Sequence, residues 1–247
     1  MEIKKVLILG YGYLGLHFKN YLNEQSPDIE IVATNRSKGG LIFDIGVDET
    51  WRQIPEVDAC LWTFPAAPYD KVTQFMEQIE PRLGNIVVVG STSAIKPKFT
   101  GSKVDENSQI NDQLDRVQGE RFLQSKGANV VRSSGIYGPN RDPRDWLRRG
   151  RIEDFERPIN LIHVHDLAQF CWKAMTTDIR GRSFIACDSK TYRWNELIKL
   201  WDMADEIPKE LSSPSSRTQK IVDASLSRKL LDIDLKFPTV IEGTLPE

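Results

Sequence analysis

Residues 5–15, KVLILGYGYLG, join an apolar run to three glycines spaced as G-x-G-x-x-G. The apolar run predicts a buried strand, and the pattern from Leu14 to Asn23 predicts a helix after the turn. In such a turn the first glycine allows the sharp exit from the strand. The second lets the backbone approach a pyrophosphate, and the third lets the helix pack closely on the sheet. The N–H groups and the dipole at the start of the helix favour a diphosphate. We therefore predict dinucleotide binding by Gly10, Tyr11, Gly12, Tyr13, Leu14 and Gly15; a structural turn without a ligand is the alternative.

The segments after this turn alternate between strand-like and helix-like patterns. Apolar strands are predicted at 30–33, 41–43, 59–63, 85–90 and 128–132, with helices at 69–78 and 111–126. Later segments predict a helix at 165–175, a strand at 183–187, a helix at 193–203 and a loop at 212–216. Short apolar strands separated by helices are typical of a parallel sheet covered on both faces. The sequence thus predicts an α/β fold with a doubly wound, mostly parallel sheet, the Rossmann fold.

Composition excludes several classes of protein. The 247 residues carry a formal net charge of −2, which leaves no electrostatic footprint for nucleic acid over the whole chain. No apolar run approaches the ~20 residues that span a bilayer, and the N-terminus lacks the apolar region of a signal peptide. The three cysteines are far apart, without metal-binding or redox spacing, which is typical of buried reduced thiols. We expect a cytoplasmic protein with a small-molecule substrate, no metal, and no nucleic-acid or membrane partner; the oligomeric state is open.

The end of the second strand bears on the choice of cofactor. An acidic residue there would bind the ribose 2′-hydroxyl of NAD. This chain has Asn35, Arg36 and Ser37 instead. The guanidinium of Arg36 can bind a 2′-phosphate with Ser37 as a further donor, which favours NADP over NAD. Two alternatives stay open: Arg36 is a solvated surface residue, and Asp44 either accepts from the adenine amino group or caps the turn before Gly46.

Three later segments complete a pattern. They are GSTS at 90–93, RSSGIYGP at 132–139 and IHVHDLA at 162–168. With the glycine turn, they resemble the extended short-chain dehydrogenase/reductase superfamily, in its NAD-dependent epimerase/dehydratase branch. The resemblance implies a cofactor across the carboxyl ends of the strands and a small, mostly C-terminal substrate lobe. It suggests a dinucleotide-binding core at 1–140 and a lobe at 141–247, with 160–190 returning to the core.

The resemblance also implies roles for single residues. Ser93 matches the catalytic Ser/Thr that hydrogen-bonds the reacting oxygen, and Ser91 lies at the cofactor. Phe64 and Pro65 match the loop that runs along the cofactor. Tyr137 lies in the loop beside the nicotinamide, where it is either a proton donor or a packing residue.

Two departures from the family pattern concern catalysis and substrate. The helix after the fifth strand lacks the Tyr-x-x-x-Lys pair; aligning Glu120 with the acidic residue of that helix puts Asp112 and Arg116 at the two positions. Arg116 can donate to the ribose hydroxyls but stays protonated, and Asp112 is a base only if burial raises its pKa. The arginine that binds a nucleotide-sugar diphosphate is replaced by the sequence at 159–161, which disfavours a nucleotide sugar.

Two functions remain. The first is an NAD(P)-dependent, epimerase/dehydratase-like oxidoreductase for a small carbonyl or sugar-like substrate, with Ser93, Arg116 and Tyr137 as candidate catalytic residues. The second is a non-catalytic NADP(H)-binding sensor or partner protein, suggested by the missing Tyr/Lys pair.

Overall fold

A parallel sheet of apolar strands forms the centre of the computed structural model, which describes residues 2–36, 40–152, 154–207 and 219–244. The strands are β1 (Lys5–Leu9), β2 (Glu30–Asn35), β3 (Leu41–Ile42), β4 (Ala59–Trp62), β5 (Asn85–Ser91), β6 (Ser102–Val104), β7 (Asn129–Ser133), β8 (Gly135–Tyr137), β9 (Pro158–Ile159), β10 (Leu161–His163), β11 (Ser183–Ala186), β12 (Tyr192–Arg193) and β13 (Lys220–Val222). The helices are α1 (Tyr13–Gln25), α2 (Tyr69–Ile79), α3 (Asp115–Ser125), α4 (Pro143–Arg148), α5 (Val164–Thr176), α6 (Trp194–Leu200) and α7 (Ser225–Leu231).

The strand order of the main sheet confirms the predicted doubly wound fold. The order is β11-β7-β5-β4-β1-β2-β3, and every neighbouring pair is parallel. From β1 the chain builds outward through β2 and β3, then returns to the other side of β1 for β4. The order therefore reverses between β1 and β4, and ligands of such sheets bind at the carboxyl ends of the strands around this point.

Helices cover both faces of the sheet and bury its apolar side chains. On one face α1 packs against α5, with Phe18 and Phe170 in a shared core. On the other face α2 and α3 pack over the sheet, where Phe75 and Leu123 belong to a second core. The strands are apolar on both sides for this reason; all four residues of β4 are buried.

The start of α3 differs from the prediction. The apolar spacing predicts a helix from residue 111, whereas the helix begins at Asp115. The backbone N–H of Asn111 donates to the carbonyl of Ala94 at 2.8 Å, and the N–H of Leu114 turns back to the carbonyl of Asn111 at 3.2 Å. These bonds tie the segment to the loop after β5, so the chain enters the helix one turn later.

The second half of the chain contributes to both the main sheet and a separate apolar cluster. Strand β11 forms the edge of the main sheet, and α5 packs on the core. The cluster outside the sheet includes Leu147, Trp194 and Leu197. The division of the chain at residue 140 stays a prediction, and the loop predicted at 212–216 lies outside the described residues. Within the described part, no helix is long and apolar enough to cross a membrane.

Candidate functional site

The turn between β1 and α1 uses its three glycines in different ways. Gly10 has a φ of +93°, and a Cβ there would lie 2.6 Å from Thr63 Oγ1. A Cβ on Gly15 would lie 2.7 Å from the carbonyl oxygen of Gly10. A Cβ on Gly12 would meet no atom of the described residues within 4 Å. The fold thus requires Gly10 and Gly15, whereas Gly12 borders open space within the described part of the chain.

Among the described residues, no side chain caps the start of α1. Gly12 is the N-cap residue, and the first turn of the helix contains no acidic residue. The turn is held instead by Thr34, whose Oγ1 accepts from the N–H of Gly10 at 3.0 Å and whose carbonyl accepts from Tyr11 at 2.8 Å. A rigid turn with free N–H groups at a helix start fits a diphosphate.

A cavity of about 360 Å³ opens at this turn, and we call it the glycine cavity. Its walls come from the ends of β1, β2 and β4 and from the segment after β3. The predicted residues that line it are Gly10, Tyr11, Gly12, Asn35, Arg36, Asp44 and Phe64. The rings of Phe43 and Phe64, with centroids 6.1 Å apart, give it an aromatic wall.

The other residues predicted to bind the cofactor lie outside this lining wherever the structure describes them. Leu14 is buried in the core beside the sheet. Tyr13 points toward the loop after β8, where its hydroxyl donates to the carbonyl of Pro139 at 2.9 Å and Arg141 lies 4.3 Å from the ring centroid. Burial raises the pKa of the Tyr13 phenol to about 12, although Arg141 opposes this. Pro65 is exposed, and Ser37 lies outside the described residues.

Arg36 and Asp44 face each other across the glycine cavity. Arg36 Nε lies 3.7 Å from Asp44 Oδ2, and the Arg36 side chain is 77% exposed. The other carboxylate oxygen of Asp44 accepts from the N–H of Gly46 at 2.8 Å. Asp44 therefore caps its turn, as one of the two sequence interpretations predicted, and also lies within ion-pair distance of Arg36.

The loop after β5 brings Ser93 and Arg116 together. Arg116 Nη2, at the start of α3, donates to Ser93 Oγ at 2.8 Å. The hydroxyls of Ser91 and Ser93 are 2.9 Å apart and share a hydrogen bond. Asp112 is not part of this group, because its carboxylate accepts from Arg121 Nε at 3.1 Å on the outside of the helix.

A second cavity of about 530 Å³, the serine cavity, adjoins Ser93. It is lined by serines of two loops, by side chains of the C-terminal half and by Lys220 of β13. Lys220 Nζ donates to the carbonyls of Thr92 and Ile95 at 2.5 and 2.7 Å. Burial, assisted by the charge of Arg116, lowers the pKa of Lys220 to about 8.

Sequence reasoning missed Lys220. It is 128 residues from Thr92, and it reaches the site because β13 pairs with β6 over three residues. Neither strand is long enough to show a periodic pattern. A lysine alone in a polar segment gives no signal of its own.

Tyr137 does not line the serine cavity. Its side chain has no exposed surface, and its hydroxyl donates to the carbonyl of Thr239 at 3.2 Å. Burial, reinforced by the nearby Asp188, raises the pKa of Tyr137 far above its ordinary value. The structure favours the packing interpretation of this residue over the proton donor.

Comparisons with known proteins agree with this architecture. No protein-family model matches the chain. Protein YeeZ of Escherichia coli K12 is 21% identical over 270 residues, covering 96% of this chain and 97% of its own. The ADP-L-glycero-D-manno-heptose-6-epimerase of Helicobacter pylori is similar with a TM-score of 0.78, 13% identity, and coverage of 98% of this chain and 94% of the other. A short-chain dehydrogenase/reductase superfamily protein of Agrobacterium tumefaciens with bound NAD has a TM-score of 0.76, 13% identity, and coverage of 96% and 94%. The chain therefore has the fold of the extended short-chain dehydrogenases/reductases and their NAD-dependent epimerases, as its motifs predicted.

Proposed function

We propose that this protein is an NAD(P)-dependent oxidoreductase of the epimerase/dehydratase kind, acting on a small carbonyl or sugar-like substrate. The observation that carries the proposal is the contact of 2.8 Å between Arg116 and Ser93, at the carboxyl edge of the sheet that also forms the glycine cavity. A serine hydroxyl held by a fixed cation suits the polarisation of a substrate oxygen.

The residues of the glycine cavity fit a nicotinamide dinucleotide. The open space at Gly12 and the uncapped start of α1 suit its diphosphate, and Phe43 and Phe64 suit an aromatic base. When bound, the cofactor supplies exchange of a hydride at its nicotinamide ring. We propose NADP, since Arg36 can leave its exposed contact with Asp44 for a 2′-phosphate. NAD is the alternative, and it is the cofactor that the Agrobacterium neighbour holds.

Lys220 is the proposed proton donor and acceptor. A guanidinium such as that of Arg116 is not a proton relay in proteins. With a pKa of about 8, Lys220 exchanges a proton near neutral pH. The carbonyls of Thr92 and Ile95 occupy two of the three N–H donors of its ammonium group, which leaves one for a substrate oxygen in the serine cavity.

The non-catalytic alternative drew its support from the missing Tyr/Lys pair. Lys220 provides an ionisable group beside Ser93, so the site does not lack a proton donor. This favours the enzyme over a sensor that only binds NADP(H).

Calorimetric titration with NADPH and NADH tests the cofactor. The Gly12→Val variant is the control, because open space and a φ of −87° at this position tolerate a side chain in the folded protein. We expect NADPH to bind more tightly than NADH, with binding lost in a folded Gly12→Val protein. Absence of binding by both dinucleotides would remove the proposal.

Turnover over a panel of sugars, aldehydes and ketones tests the reaction, followed both as consumption of NADPH and as conversion of the compound itself, because an epimerase or dehydratase regenerates its cofactor. Turnover by the wild-type protein that falls at least about 100-fold in Ser93→Ala would support it, a loss typical for one oxyanion donor. Full activity of Ser93→Ala would contradict the role of Ser93. Binding of NADPH without turnover on any compound would favour the sensor.

A further inference from the structure

A third cavity, of about 460 Å³, lies behind the Ser93 loop and has no part in the proposed reaction. It is bounded by α3, by residues 105–112 and by the edge strand β11. We call it the arginine cavity, because the buried Arg132 is one of its lining residues.

The buried guanidinium of Arg132 has one edge unused. The side chain of Arg132 is 1% exposed, and Nη1 donates to Glu120 Oε2 at 2.6 Å. Nε and Nη2 have no hydrogen-bond partner among the described residues. These two nitrogens present parallel N–H groups on one edge of the guanidinium, the arrangement that binds both oxygens of a carboxylate. Buried donors are normally paired, so this edge is suited to a ligand.

Two unused acceptors line the same cavity. Glu106 Oε1 accepts from the backbone N–H of Ser227 at 2.9 Å and from its hydroxyl, but Oε2 is buried without a partner in the described chain. The amide nitrogen of Gln124 donates to Gly181 and Ser183, whereas its Oε1 is likewise unpaired there. A carboxylate oxygen and an amide oxygen together suit an ammonium group.

Charged residues of both signs line the cavity. Three acidic residues line it (Asp105, Glu106 and Asp112), and so do three basic ones (Arg121, Arg132 and Arg182). The presence of both signs in the lining suits a ligand with separated charges of both signs. Ile95, Ile110 and Ile185 add apolar surface for an aliphatic group.

We propose that the arginine cavity binds a small zwitterion of the α-amino-acid type with an aliphatic side chain. Its carboxylate lies on the Nε/Nη2 edge of Arg132, and its ammonium group lies at Glu106 Oε2 and Gln124 Oε1. This site is separate from the proposed oxidoreductase site, and neither proposal depends on the other.

Calorimetry on the full chain without dinucleotide tests the site, with L-leucine, L-isoleucine, L-valine and L-methionine as probes. Two analogues of leucine dissect the recognition: 4-methylpentanoate lacks the ammonium group, and 3-methylbutylamine lacks the carboxylate. We expect one of the amino acids to bind at a single site. The analogues of that amino acid that lack its ammonium group or its carboxylate should bind at least about tenfold more weakly. Failure of all four amino acids to bind at about 10 mM, or equal binding of 4-methylpentanoate, would overturn the proposal.

Three variants separate binding from folding. Glu106→Gln keeps an oxygen for Ser227 and replaces the free oxygen by an amide nitrogen, so binding should fall at least about tenfold in a folded protein. Glu80→Gln, which removes a surface contact with Lys126, is the matched control and should bind normally. Arg132→Lys keeps a charge for Glu120 but removes the forked edge; if it does not fold, Glu106→Gln decides. Wild-type affinity in Glu106→Gln would refute the site.

Discussion

The different roles of Gly12 and Gly15 in the glycine turn can be separated by a pair of substitutions. Gly15→Ala and Gly12→Val each add a side chain to the same helix start. The added methyl at residue 15 would lie 2.7 Å from the carbonyl oxygen of Gly10 and 3.1 Å from Ile8 Cγ2. That carbonyl cannot move easily, because it accepts from Thr63 Oγ1 at 2.6 Å. The clash therefore falls on a fixed part of the backbone.

We expect Gly15→Ala to lower mainly the stability of the protein and Gly12→Val to lower mainly its affinity for the dinucleotide. Overpacking of this sort costs up to about 3 kcal/mol, which for a chain of this size lowers Tm by about 6–12 °C. Gly12→Val meets open space and loses only the preference of an N-cap for glycine, about 1 kcal/mol or about 2–4 °C. The same valine fills the space beside the helix start, so we expect its affinity for the dinucleotide to fall at least about 100-fold.

Thermal unfolding and calorimetry on both variants give the answer. Gly15→Ala should lose stability and, where folded, keep measurable affinity for the dinucleotide. Gly12→Val should keep most of its stability and lose its affinity for the dinucleotide. If Gly15→Ala melts like the wild type while Gly12→Val is the less stable variant, the assignment of the open space at Gly12 to a ligand is wrong.

The remaining predictions concern charges. Glu120→Gln leaves the buried Arg132 without its counter-ion and should lower the free energy of unfolding in urea by about 3–5 kcal/mol. Glu80→Gln removes a contact at the surface and should change this free energy by about 0–1 kcal/mol. Equal losses in the two variants would refute the burial argument. Lys220 has a folded-state pKa of about 8 against an ordinary 10.5, so the unfolded chain holds the proton more tightly between these values. The contribution of Lys220 to the free energy of unfolding therefore rises with pH from about 8 to 10.5. In urea unfolding measured over this pH range, the Lys220→Met variant should lack this rise, which the wild type should show. Arg36→Ala should weaken NADPH binding about tenfold and leave NADH binding unchanged; an equal loss for both dinucleotides would show that Arg36 does not read the 2′-phosphate.

Local patterns predicted the parts of the molecule that depend on neighbouring residues. The turn from β1 into α1 follows from the apolar run and the three glycines, which are adjacent in sequence and act together. The resemblance named Ser93 and Arg116 as candidates for one site, and the structure brings their side chains within 2.8 Å of each other. The sequence patterns of these elements can be recognised from neighbouring residues alone, and the order of the strands in the sheet then determines where the elements lie.

The parts that sequence reasoning missed depend on long-range pairing. Lys220 reaches the Ser93 loop only through two strands of three residues each, which have no readable period. Tyr137 lies in a motif beside the expected nicotinamide, yet residues near 239 and 243 close over it and bury its hydroxyl. Asp112 leaves the site because the backbone of Asn111 bonds to Ala94 and delays the helix. In each case a contact between distant segments decides where a side chain points.

The proposed site distributes between two segments what the family motif places on one helix. In that motif a lysine and a tyrosine four residues apart supply the fixed cation and the titrating group. Here Arg116 of α3 is the fixed cation, and Lys220 of β13 is the group that titrates. Burial contributes most to the lowered pKa of Lys220, and the charge of Arg116 adds to it. The positive charge that holds Ser93 thus also disfavours a second positive charge on Lys220, and in the proposed mechanism this adds to the effect of burial in allowing the amine to exchange a proton near neutral pH. The absence of tyrosine from α3 is therefore compatible with a complete proton path.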